Sequence, residues 1–370
     1  MVTMHTTTAT INLNAVRHNL QQVKRLAPHA RVMAMVKANA YGHGLTEVAA
    51  SLNAADGLAV ARIGEALSLR AAGFQQRILV LGDILNMVDL IECARLSIDI
   101  VIHSTAQAEL FLAAKLSAPI AIWLKIDSGM HRLGMTSEEF QTYQQRLCQS
   151  TNTVDVILMT HFGSADADCD QQTRQQQALF CHAISGITAP QSLANSAAII
   201  KFPDTHQDWV RPGIMLYGAS PLPANAPSAG AIDLQPAMTL ASTVLAIRLV
   251  RSGESVGYHA RWTASSDTLI ATVGIGYGDG YPRHAKNGTP VLVNGCRAKL
   301  VGAVSMDLIT IDISQCGPVN IGDEVIAWGS NGSGQRLLAE EVAQWADTIS
   351  YELFTSITAR VTRRYISPDS

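Results

Sequence analysis

Lys37 closes the apolar run 32–36, and a lysine there is expensive to bury, because an ammonium leaving water costs several kcal/mol unless it is paired or covalently bonded. An imine with an aldehyde removes the charge and turns the same nitrogen into a useful group. The alternative is a lysine that emerges into solvent at the strand end. Ser196 follows Asn195 where a strand gives way to a helix, a place where a hydroxyl can cap the helix or bind an anion. Arg211 precedes Pro212-Gly213 and reads by itself as a loop arginine; His161 ends the apolar run 154–160 and reads by itself as a satisfied core histidine. The glycine run 274–280 invites a nucleotide reading but does not fit GxGxxG, since Asp279 and Tyr281 stand where the last glycine would fall.

These residues need a scaffold, and the spacing supplies one. Short β-branched runs at 31–36, 57–61, 77–81, 99–102, 120–126, 154–160, around 191–194 and around 210 alternate with helical patterns such as 64–72 and 105–115. The runs 120–126 and 154–160 are apolar on both faces, as in buried parallel strands. Eight such units predict an α/β fold with a (β/α)8 TIM-type barrel, whose function sits at the C-terminal ends of the strands. A doubly wound open sheet fits the same alternation. Residues 219–230 are rich in Pro, Ala and Ser and read as a linker. Beyond them, runs at 241–250, 268–273, 290–293, 300–304, 308–313 and 324–328 predict a mainly β C-terminal domain, with a helix at 337–346. The division is therefore 1–230 and 231–370. The glutamine-rich stretch 171–177 reads as the solvated face of a helix.

The chain has 370 residues, 48% hydrophobic and 15% charged, with a formal net charge of −3. That near-balance argues against nucleic-acid or anionic-membrane partners. Six cysteines are scattered without a CxxC pair and read as reduced, mostly buried thiols. No signal peptide and no membrane-spanning run is evident, so a cytoplasmic protein without a metal is the expectation.

The segment Lys37-Ala38-Asn39-Ala40-Tyr41-Gly42-His43-Gly44 resembles the cofactor-lysine motif of the alanine racemase family. Eight further blocks resemble that family in the same order, among them Lys125-Ile126-Asp127-Ser128-Gly129-Met130-His131-Arg132, Asn195-Ser196-Ala197-Ala198, Trp209-Val210-Arg211-Pro212-Gly213-Ile214, Val256-Gly257-Tyr258, Ser305-Met306-Asp307 and Ile349-Ser350-Tyr351-Glu352. The resemblance implies an isomerase that interconverts L- and D-alanine with pyridoxal 5'-phosphate, supplying D-alanine for cell-wall peptidoglycan. It implies a homodimer in which each β domain completes the partner's site. Lys37 and Tyr258 would be the two catalytic bases that racemisation requires, one on each face of the substrate Cα. Lys37, Tyr41, His161, Ser196, Arg211, Gly213, Ile214 and Tyr351 would bind the cofactor, with Arg211 at the ring nitrogen and His161 bracing it. A phenol is a weak base at its ordinary pKa, so His161 and Arg211 are the expected cations favouring phenolate at Tyr258. Arg132 and the Met306 backbone N–H would hold the substrate carboxylate. Tyr281 and Asp307 would line the entrance, and Lys125 matches a position that can carry a carbamate. A racemase acting on serine or another small amino acid and a non-catalytic pyridoxal-phosphate carrier are the alternatives; Tyr258, Met306 and Asp307 argue against the carrier.

Overall fold

The computed structural model describes residues 7–223, 232–331 and 334–367. Eight parallel strands run in the order Gln191–Ser192, Thr153–Met159, Ile120–Lys125, Ile98–Ile102, Arg77–Val80, Gly57–Val60, Arg31–Met35 and Trp209–Val210. The two ends of that row meet. Arg211 N–H donates to Ala194 C=O at 2.9 Å, in an isolated parallel bridge between Asn195 and Arg211, and closes the barrel. Strand Ile120–Lys125 is buried at every position, as a strand covered by helices outside and side chains inside must be. Helices predicted at 64–72 and 105–115 form as Ile63–Ala71 and Thr105–Ala113. At one end of the barrel, Asp99 accepts from Trp123 Nε1–H at 3.1 Å and pairs with Arg77, while Arg31 lies 4.3 Å over the Trp209 ring.

The second sheet has nine strands, and pairing of Met238–Val250 with Glu324–Ser330 closes part of it on itself. Its membership departs from the reading of the sequence. Thr8–Asn12 does not join the barrel. It pairs antiparallel with Met238–Val250 and parallel with Thr362–Ile366, so the two chain ends lie side by side in the β domain. The strand predicted at 300–304 is displaced: Cys296–Leu300 forms the ladder, and the chain leaves it towards Ser305. The helix is Ala339–Trp345. The linker reading falls largely on 224–231, outside the described residues; at its near end Ala219 and Leu222 are buried.

The cysteine reading is also corrected. Cys296 and Cys316 form a disulfide with Cα atoms 5.6 Å apart, and Cys148, Cys169 and Cys181 are exposed, leaving Cys93 buried. The pairing is set by neighbouring strands of the β domain, which bring together residues twenty positions apart. Within the helix Gln171–Ala183, Gln176 is buried rather than solvated, because it bonds the loop that follows Thr153–Met159. No described helix is long and apolar enough to cross a membrane.

The two domains meet around the first barrel strand. After Lys37 the backbone turns left-handed, with φ of 54°, 55°, 52° and 52° at Ala38, Asn39, Ala40 and Tyr41. Each such residue costs about 1–2 kcal/mol, so the turn needs outside support. Gly42 continues it at φ 80°, and a Cβ there would lie 2.1 Å from Phe354 C=O of the β domain. Arg363 Nε donates to Gly42 C=O at 2.8 Å and its Nη2 to Ile357 C=O at 3.0 Å. Nδ1 of His43 sits 2.8 Å from Tyr41 C=O, and burial holds that ring at a pKa of about 4, hence neutral. Gly42→Ala is therefore expected to lower stability by about 2 kcal/mol or more. A denaturant midpoint equal to the parent's would contradict that.

Candidate active site

The C-terminal ends of the barrel strands and the segment 348–351 of the β domain enclose a cavity of about 920 Å³. Lys37, Tyr41, Lys125, Arg132, His161, Ser196, Arg211, Gly213, Ile214 and Tyr351 all line it. Four of these are cationic side chains gathered in one space. A partly buried excess of positive charge requires anions.

Each position follows from its strand end. Lys37 begins the left-handed turn. Burial lowers the pKa of its amine, Arg132 lowers it further, and Glu65 opposes them. Lys125, the last residue of its strand, is driven down to about 8 by burial and then by Arg211, Arg132 and Lys37, against Asp127. Asp127 is not its salt-bridge partner. One Asp127 oxygen accepts from the N–H groups of Gly129, Met130 and His131 at 2.9, 3.1 and 3.1 Å, folding the loop that presents Arg132.

Arg211 is buried beside the barrel closure. Its Nη1 donates to Ser192 Oγ at 2.6 Å, and its Nη2 to the C=O groups of Thr160 at 2.6 Å and Leu193 at 3.1 Å. Burial lowers it to about 10, so it remains a cation at neutral pH. His161 Nδ1 lies 3.5 Å from Arg211 Nη2. Burial first, then Arg211 and the other cations, hold the imidazole well below its ordinary pKa. It can accept a hydrogen bond from Arg211, but it is not the second cation that the sequence suggested for Tyr258. Gln176, missed in the sequence, donates to His161 C=O at 3.1 Å and accepts from Gly163 N–H at 2.9 Å.

On the opposite wall, Asn195 caps the helix Ser196–Lys201 by accepting from Ala198 N–H at 3.1 Å. Ser196 is thereby relieved of capping, and its Oγ accepts from Gly213 N–H at 2.8 Å. Ile214 opens a 3-10 turn, where the first N–H groups have no partner inside the turn. A Cβ at Gly213 would lie 2.4 Å from the Tyr41 hydroxyl, so only glycine lets phenol, hydroxyl and backbone N–H converge. Tyr41 stacks on Tyr217 at 4.7 Å and approaches Tyr351 at 5.9 Å. Burial pushes Tyr41 above the usual phenol range and Tyr351 up to about 12, so both hydroxyls stay protonated donors. Tyr217, also missed, donates to Met35 C=O at 2.9 Å and ties this wall to the Lys37 strand.

The remaining residues singled out in the sequence lie elsewhere. Tyr258 is 64% exposed and Met306 54% exposed, on the β domain's own surface and outside the cavity lining. Asp307 pairs with Arg360 at 2.7 Å, and Arg360 also pairs with buried Asp279 at 2.7 Å. Tyr281 does not line an entrance: it is 1% exposed, packed inside the β domain with its ring 6.4 Å from Trp328. In the same glycine-rich segment, Tyr277 is the partly exposed tyrosine.

Residues 11–221 match the family model "Alanine racemase, N-terminal domain", and 237–365 match "Alanine racemase, C-terminal domain". The chain is 45% identical over 364 residues to the alanine racemase of Vibrio atlanticus, covering 98% of this chain and 100% of that one. It is 44% identical to that of Edwardsiella ictaluri, covering 99% and 100%. Among solved structures, the biosynthetic alanine racemase of Pseudomonas aeruginosa superimposes with a TM-score of 0.94 at 44% identity, covering 98% and 100%. That of Acinetobacter baumannii gives 0.91 at 36%, again covering 98% and 100%.

Proposed function

The chain belongs to the alanine racemase family, and on that footing we propose that it interconverts L- and D-alanine by passing a proton between Lys37 on one face of the substrate Cα and Tyr258 of the partner subunit on the other. The observation that carries this reading is the strand-end lysine set among Lys125, Arg132 and Arg211, opposite a hydroxyl-and-amide cradle.

Pyridoxal 5'-phosphate is the family's cofactor, and the residues present fit it. The cradle suits a phosphate dianion, since Tyr41 and Ser196 bring hydroxyls and Gly213 and Ile214 bring backbone N–H groups, with Tyr351 alongside. The depressed Lys37 amine suits an aldehyde, because the neutral form is the nucleophile. When bound, the cofactor supplies an electron sink that acidifies the Cα–H of the amino acid.

The chain's own groups do the rest. Arg211, a donor held in place by Ser192, Thr160 and Leu193 and braced by His161, would hold the ring nitrogen of the cofactor. Arg132 and the partner subunit's Met306 N–H hold the substrate carboxylate. Lys37 takes or returns the proton on the D-alanine side, and the partner subunit's Tyr258 does so on the L-alanine side. The 64% exposure of Tyr258 in one chain supports a homodimer in which a second β domain supplies it. The chain divides near 230 into barrel and β domain, except that Thr8–Asn12 joins the β-domain sheet. The setting is the cytoplasm and the product D-alanine for peptidoglycan.

Lys125 carries a carbamate. The chemistry is balanced: the neutral amine adds CO2, forming an N–C bond and releasing one proton. The product anion offsets Arg132 and Arg211. With an amine pKa of about 8, the neutral fraction grows as pH rises, so native mass spectra in bicarbonate should show a CO2 gain that increases from about pH 7 to 9. A spectrum identical to that of Lys125→Ala at every pH would remove the assignment.

Lys37→Ala and Tyr258→Phe should each lower racemisation by about 10²–10⁴-fold or more. Solvent deuterium should still exchange into D-alanine, slowly, with Tyr258→Phe. Full turnover by either variant would overturn the two-base reading.

A further inference from the structure

The left-handed turn that aims Lys37 is unfavourable in isolation, and Arg363 supports its far end at Gly42. Its near end is held by Glu65, a side chain with no part in the chemistry so far. One Glu65 oxygen accepts from Asn39 N–H at 3.2 Å. The other accepts from Ala61 N–H at 3.1 Å and Arg62 N–H at 3.2 Å. A single carboxylate therefore ties the lysine turn to the loop leaving the adjacent strand, Gly57–Val60. Asn39 passes the restraint on, its Oδ1 accepting from Leu45 N–H at 2.9 Å at the start of the next helix. Glu65 lies in the first turn of Ile63–Ala71, where exposed N–H groups favour negative charge.

The charge of the same carboxylate also acts on the amine, favouring its protonated form where burial and Arg132 oppose it. Around Lys37 stand Arg132 from the loop after Ile120–Lys125, Lys125 at that strand's end, His161 after Thr153–Met159, and Glu65. Beside Glu65 stand Arg62 of its own helix cap and Tyr217 of the cradle wall. Among these, Glu65 is the group whose charge opposes that of Arg132 at Lys37.

We propose that Glu65 is a positioning residue for Lys37: its carboxylate fixes the left-handed turn that aims the amine, and its charge opposes that of Arg132 at the site the turn presents. The inference rests on reading Lys37 as the D-alanine-side base.

The test compares holoenzyme of the parent, Glu65→Gln and Glu65→Asp by kcat against pH for D-alanine and by amide hydrogen exchange over 37–44. kcat reports groups in the substrate-bound enzyme, where the Lys37 amine is free to take a proton. Without the counter-charge the amine loses its proton at lower pH. The acid limb of kcat in Glu65→Gln should therefore move down by about one pH unit. Exchange over 38–44 should quicken, and Glu65→Asp should fall between the parent and Glu65→Gln in both readouts. Faster exchange with an unmoved limb would mean that Glu65 only braces the backbone, and would overturn the proposal. If Glu65→Gln did not fold, Glu65→Asp would decide. Its shorter reach should quicken exchange over 38–44 and draw the charge back, moving the limb down by a smaller amount; an unmoved limb or unchanged exchange would overturn the proposal. A Lys37→Ala enzyme that still racemised would defeat the base assignment itself, a failure distinct from that of Glu65.

Discussion

A strained backbone turn immediately after a strand-end lysine is the constraint around which this molecule is arranged. Four consecutive non-glycine residues, Ala38 to Tyr41, adopt a conformation that L-residues avoid. The turn persists because its surroundings over-determine it: Glu65 on one side, Arg363 on the other, His43 beneath, and a glycine at 42 where Phe354 leaves no room for a Cβ. The result is geometric. Lys37 enters the cavity from one end of the turn, and Tyr41 returns from the other end to meet Gly213.

Charge is the second consequence. Lys37, Lys125, Arg132 and Arg211 share one cavity, and burial depresses both amines. Asp83, Asp166 and Glu340 also line the cavity, but cations outnumber them, so the site is suited to a phosphate, a carboxylate and a carbamate. Closure of the barrel through Arg211 and Ala194 places the cradle and the Arg211 guanidinium on adjoining strand ends, so one backbone bridge organises both.

Much of this was legible in the sequence, for physical reasons. Parallel strands buried on both faces leave uninterrupted apolar runs, so the eight barrel strands were visible as local patterns; the end of the first pointed to Lys37, while Lys125, His161 and Arg211 stood out only through the family resemblance. Partner choice is not local. The division at 230 put residues 8–12 with the barrel, and nothing local says that Thr8–Asn12 pairs with Met238–Val250 and Thr362–Ile366. For the same reason the Cys296–Cys316 pair, the burial of Tyr281 and the inward turn of Gln176 were missed: each depends on distant segments meeting. The cationic role suggested for His161 failed because sequence does not report burial or the four cations around it. Glu65 did leave a trace, since a glutamate in the first turn of a helix after the second strand suggests a cap; what it caps beyond its own helix is tertiary information.

The central claim is that the Lys37 nitrogen is where the cofactor is attached. Borohydride reduction of the purified protein, followed by peptide mapping, tests it most directly. The account predicts that one pyridoxyl group is fixed on Lys37 and that the visible absorbance of the bound aldehyde is lost. A reduced protein whose Lys37 is unmodified, or whose label sits on Lys125, would contradict it.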